Sequence, residues 1–82
     1  MEVNVMGVSI DLRTAHAPLV QDVLTKYGCI IKTRLGLHET DENSCSEHGI
    51  LLLQLKGSDE EIQNLQKELL AIDGVKVNSM KI

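Results

Sequence analysis

Eighty-two residues make room for one domain, spanning 1–82, around one core, and 26 Leu, Ile and Val with no Phe or Trp make that core aliphatic. A net charge of −4 without a Lys/Arg cluster argues against direct nucleic-acid binding, and a single Tyr leaves no base-stacking platform for single strands. No apolar run nears the ~20 residues of a membrane span and no signal segment opens the chain, so a cytoplasmic protein is expected, with Cys29 and Cys45 as free thiols.

In chain order, Val3 to Ile10 is rich in Val, Met and Ile and reads as a strand. From Thr14 to Tyr27, Val20, Val23, Leu24 and Tyr27 recur at helical spacing, with Thr14 as N-cap and Pro18 tolerated near the first turn. Gly28 follows the last periodic residue, where a left-handed helix end favours glycine. Cys29 to Leu37, with β-branched Ile30, Ile31 and Thr33, is a second strand, and Cys29 is expected to pack in the core. The polar stretch from His38 to Glu47, with four acidic residues, reads as a loop.

Ile50 to Leu55 is an almost unbroken apolar run between Gly49 and Gly57, as expected for a strand covered on both faces. Ser58-Asp59-Glu60-Glu61 is a capping box opening a helix whose face is Ile62, Leu65, Leu69 and Ile72. Asp73-Gly74 stops that helix, and Val75 to Ile82 forms the last strand.

The order βαββαβ predicts an α+β, ferredoxin-like sandwich, with a four-stranded antiparallel sheet and both helices on one face. The other sheet face then lacks cover although Met6, Val8, Ile10 and the third strand supply apolar side chains. An apolar face left open predicts self-association as a homodimer or tetramer.

Tyr27-Gly28-Cys29-Ile30-Ile31-Lys32-Thr33-Arg34-Leu35-Gly36-Leu37 resembles the G-x-I-I-x-x-R-[ML]-G stretch of the iron-only hydrogenase system regulators. The opening Val5-Met6-Gly7-Val8, the strand from Gly49 to Leu55 and the tail Ile72-Asp73-Gly74-Val75-Lys76-Val77 fit the same pattern. That family is similar to the C-terminal metal-sensing domain of the nickel-responsive repressor. The resemblance implies an ACT-like fold, assembly through the sheet and a regulatory role. The ferredoxin-like pattern starts near residue 3, so no counterpart of the repressor's DNA-binding ribbon-helix-helix is expected, and an effect on transcription would pass through a protein partner.

Two groups of residues are candidates for chemistry. His38, Cys45 and His48, among Glu39, Asp41, Glu42 and Glu47, carry the imidazole and thiolate ligands that Ni²⁺ and Zn²⁺ prefer. His38 and Cys45 match a His and a Cys of the repressor's sensing hairpin, with about one extra residue between them, while Gly36 stands where the repressor has another His. The competing reading is a solvated acidic hairpin. Arg34 and Gly36 are the second group, since Arg clamps carboxylates and a strand glycine admits a ligand or backbone; the competing reading is an interface or edge position. Asp11 to Thr14 occupies the turn where many ACT domains hold amino acids, but lacks the usual glycine.

Catalysis needs a nucleophile, a base within reach and a group that orients it. Cys45 and His48 are the only nearby pair, and acidic surroundings raise a thiol pKa. The expectation is a non-catalytic regulatory module that senses a ligand or contacts a partner, with no cofactor beyond a candidate Ni or Zn.

Overall fold

The structure, a computed structural model, describes residues 3–11, 17–41 and 44–82, and their side chains except those at 17, 37–41 and 44–48. Strands β1 (Asn4–Asp11), β2 (Ile31–Asp41), β3 (Ser44–Leu55) and β4 (Val75–Lys81) form one antiparallel sheet in the order β2-β3-β1-β4. Helices α1 (Ala17–Lys26) and α2 (Asp59–Leu70) complete a ferredoxin-like βαββαβ fold. At the chain ends, Val3 and Ile82 exchange both backbone hydrogen bonds, at 2.9 and 2.8 Å.

Alternation along the strands decides which side chains the helices cover. Met6, Val8 and Ile10 point to the helix side, where register sets Met6 opposite Leu53 and Ile10 opposite Val75. Val20 and Leu24 of α1 and Ile62, Leu65 and Leu69 of α2 close over them. No buried side chain in this core is polar or charged among the described residues, so packing alone holds the layers together. Each fully covered Leu or Val contributes about 1.5–3 kcal/mol of transfer free energy.

The second helix begins as its sequence predicts. Glu61 N–H donates to Ser58 Oγ at 3.1 Å, and Ser58 N–H donates back to Glu61 Oε1 at 3.1 Å, closing the capping box. Just before it, Gly57 has φ +121°, a conformation that side chains rarely adopt. Gly74, at φ +80°, makes the turn into β4.

Five expectations need correction. Met6, Val8 and Ile10 lie under the helices and supply nothing to the open face, because alternation turns them to the covered side. Gly28 has no positive φ; it opens a short 3₁₀ turn, Gly28–Ile30, whose tight geometry carries the chain from α1 into β2. Cys29 therefore sits in that turn and is exposed, not packed in a strand. The polar 38–47 stretch is not simply a loop, because β2 runs on to Asp41 and β3 begins at Ser44. Ladder hydrogen bonds use backbone groups, so polar side chains do not prevent pairing. Finally, β3 is not covered twice in this chain: Leu53 and Leu55 are buried, but Ile50 and Leu52 remain 42 and 38% exposed on the other face. Thr14, the expected N-cap, lies outside the described residues.

Candidate functional site

The side of the sheet away from the helices is bare. Register brings Val5, Gly7 and Ser9 of β1 beside Gln54, Leu52 and Ile50 of β3, and beside Met80, Asn78 and Lys76 of β4. Leu35 of β2 lies opposite Leu52 and is 53% exposed. The centre of this face carries no charge, while Lys76 and Asp11 stand at its margins. Gly7 contributes no side chain and leaves a shallow depression of about 240 Å³ lined by Val5, Leu52, Asn78 and Met80.

Arg34 lies on edge strand β2, on the helix side, opposite Leu53. Its Nη2 donates to Gln21 Oε1 of α1 at 3.0 Å. Gly36 is two residues further along the same strand; a Cβ there would meet Leu51 Cδ2 at 3.5 Å, an ordinary contact. The chain's own backbone therefore does not impose glycine at position 36.

Of the metal candidates, the backbone positions are described and the side chains are not. His38 is registered opposite Gly49 on β3, one step from His48, which in turn pairs with Asp11 of β1. Cys45 is opposite Thr40, three residues from His48 and so about 10 Å along an extended strand. Backbone alternation puts position 38, opposite Gly49, and position 48, opposite Asp11, in rows on different faces of the sheet, with position 45 further out along β3. Of the turn from Asp11 to Thr14, only Asp11 belongs to the described residues.

Sequence reasoning missed a polar cluster joining the helices. Lys26 Nζ, at the end of α1, is 2.8 Å from Glu68 Oε1 of α2, and the Tyr27 hydroxyl donates to Glu68 Oε2. Lys26 Nζ also lies 5.6 Å from the centroid of the Tyr27 ring. Hydrogen bonds from Lys26 and then Tyr27 hold the Glu68 carboxyl below its ordinary pKa. The hydrogen bond to Glu68 pushes both Lys26 and Tyr27 above theirs. The pairing spans some 41 residues of sequence, so local periodicity carries no trace of it.

Sequence reasoning also missed a second depression, of about 410 Å³, between the end of α1 and the start of β2. It is lined by Leu24, Thr25, Gly28, Ile31, Lys32, Thr33 and Arg34. Ile31 faces Leu55 and Thr33 faces Gln54, so Lys32 is an extra residue in β2 without an opposite number. Such a bulge bends a strand and re-aims its side chains. The bulge comes from pairing with a strand distant in sequence, which composition does not show.

With this geometry, the chain is similar in structure to several solved proteins. An uncharacterized protein from Thermotoga maritima superposes with a TM-score of 0.85 at 22% identity, over 100% of this chain and 99% of the other. CPII, a nitrogen regulatory PII-like protein from Thiomonas intermedia K12 solved with ADP, AMP and bicarbonate, gives 0.63 at 14% identity, over 100% of this chain and 91% of the other. A dimeric ferredoxin-like protein from an uncultured marine organism gives 0.51 at 8% identity, over 99% and 92%. No protein-family model and no curated protein matches the sequence. The likenesses establish the ferredoxin-like fold. Among the described residues, no helix is long and apolar enough to cross a membrane, and no cluster of three or more His, Cys, Asp or Glu is placed to hold a metal ion.

Proposed function

We propose that this chain is a non-catalytic regulatory module that senses a small ligand and works as an oligomer assembled through the open sheet face. One observation carries the reading: the bare, uncharged centre formed by Leu35, Ile50, Leu52 and Met80. A chain of net charge −4 repels its own copy, so two copies are best joined where each presents no charge. The PII-like and dimeric ferredoxin-like structural neighbours support the regulatory and the oligomeric parts. The link to the iron-only hydrogenase system is supported by the sequence resemblance.

Light scattering after size exclusion tests the assembly, with the full chain compared with Leu52→Asp. The expected result is a dimer or tetramer for the natural chain and a monomer for the variant, in which a buried unpaired carboxylate would face the partner. A natural chain that elutes as a monomer at all concentrations refutes the reading.

A second reading takes His38, Cys45 and His48 as ligands of Ni²⁺ or Zn²⁺, and the imidazole and thiolate chemistry of those residues supports it. Native mass spectrometry of reduced, metal-stripped protein before and after adding either ion is the test. One metal per subunit, lost in Cys45→Ala, is the expected outcome; a bare chain removes the reading.

A further inference from the structure

Gly28 poses a question that the fold leaves open. Its φ is ordinary, and a Cβ built on it meets no atom within 4 Å. Glycine normally costs stability relative to alanine through the freedom of the unfolded chain, and here neither backbone conformation nor crowding asks for it. Gly28 is one of the residues that line the depression between α1 and the bulged start of β2.

The lining of that depression has a definite chemistry. Leu24, 2% exposed, and half-buried Ile31 give it an apolar floor. Lys32 and Arg34 supply two cations at its rim, and among the described residues neither meets a carboxylate. The partner that Arg34 does have, Gln21, is a neutral amide, which orients the guanidinium without neutralising it. Both side chains are exposed and neither is offset by a carboxylate among the described residues, so an anion reaching the depression meets two cations. The C-terminal end of α1 opposes an anion, but it amounts to about half a negative charge against two full positive ones. The volume falls within the span of small-molecule sites.

We infer that this depression is a binding site for a small amphipathic anion, a carboxylate or phosphate head held by Lys32 and Arg34 with a short apolar body over Leu24 and Ile31. The absence of a side chain at Gly28 keeps the mouth open. The inference rests on the reading of the chain as a ligand sensor and supplies the class of ligand.

Amide shifts of the isotope-labelled full chain, titrated with benzoate, phenyl phosphate and neutral benzyl alcohol, test it. Benzoate and phenyl phosphate separate carboxylate from phosphate heads. At least one anion is expected to move the amides of Gly28 to Arg34 saturably, while benzyl alcohol does not. Lys32→Gln with Arg34→Gln should weaken that binding about tenfold or more, since each removes a charge-assisted contact. Gly28→Leu should abolish it without lowering the melting midpoint and leave the remaining amide spectrum in place. Binding that survives these variants, or no saturable shift with either anion at tens of millimolar (a concentration well above those of specific sites), overturns the proposal. An oligomer that binds neither anion sinks this site and leaves the assembly standing; a monomer that binds one does the reverse.

Discussion

Gly57→Ala and Gly28→Ala exchange the same atoms at two loops and are expected to move stability in opposite directions. At Gly57 the backbone sits at φ +121°, where an L side chain costs about 1–3 kcal/mol. The new Cβ would also lie 3.0 Å from Ile30 Cγ2 and 3.3 Å from Glu61 Oε1. Ile30 is 6% exposed in the core and, being β-branched, has little freedom to turn aside. Glu61 is held by the capping box. Crowding of that kind adds on the order of 1 kcal/mol, so Gly57→Ala should lose about 2–4 kcal/mol. For a domain of this length that is a fall of roughly 10–25 °C in melting midpoint. Gly28→Ala meets nothing and has an ordinary φ, so it should gain up to about 1 kcal/mol by restricting the unfolded chain. Urea denaturation followed by far-UV dichroism reads both. A Gly57→Ala protein within about 0.5 kcal/mol of the natural chain, the range of ordinary surface changes, would refute the steric argument.

Two further outcomes are expected. Ser58→Ala removes the acceptor for the Glu61 amide and should cost about 1 kcal/mol in the same urea assay; an unchanged midpoint would show that water replaces the cap. Glu68→Gln should lower the melting midpoint near neutral pH, with a pH signature. Because the folded carboxyl lies below its ordinary 4.5, its contribution is present above that value and is lost as pH falls through the folded pKa. Lys26 lies above its ordinary 10.5, so the same contribution persists up to that value and is lost as pH rises through the folded pKa of Lys26. The gap between natural and Glu68→Gln protein should therefore be flat between these limits and close on the acid side; a gap that persists in strong acid would assign it to packing.

What the residues made legible was what neighbours along the chain decide. The capping box at Ser58, the turn at Gly74 and the apolar face of α2 depend on contacts within a few residues, and each stands where periodicity and spacing place it. The misreadings have other origins. A glycine after a helix can be a left-handed terminus or the start of a 3₁₀ turn, and only the path into β2 decides between them at Gly28. The polar 38–47 stretch pairs with itself, Thr40 opposite Cys45 and Asp41 opposite Ser44, a local hairpin that its polar composition hid. The Lys32 bulge and the contact of Lys26 and Tyr27 with Glu68 arise between distant segments. For the candidate site, Arg34 was visible as a residue type; the cavity beside it was not.

The strand order also sets a timetable. β1 is translated before the other three strands yet takes a central place, with β3 on one side and β4 on the other. Met6, Val8 and Ile10, each nearly or wholly buried in the finished sheet, emerge from the ribosome long before the residues that cover them. One edge of β1 waits for the Ile50–Leu55 segment, and the other waits for β4, since Lys81 pairs with Asn4. Pairings so distant in sequence close slowly, and unpaired edges expose a nascent chain to association with others. A chain truncated before β4 would leave β1 paired on one edge only, so this seven-residue strand governs when the whole sheet becomes safe.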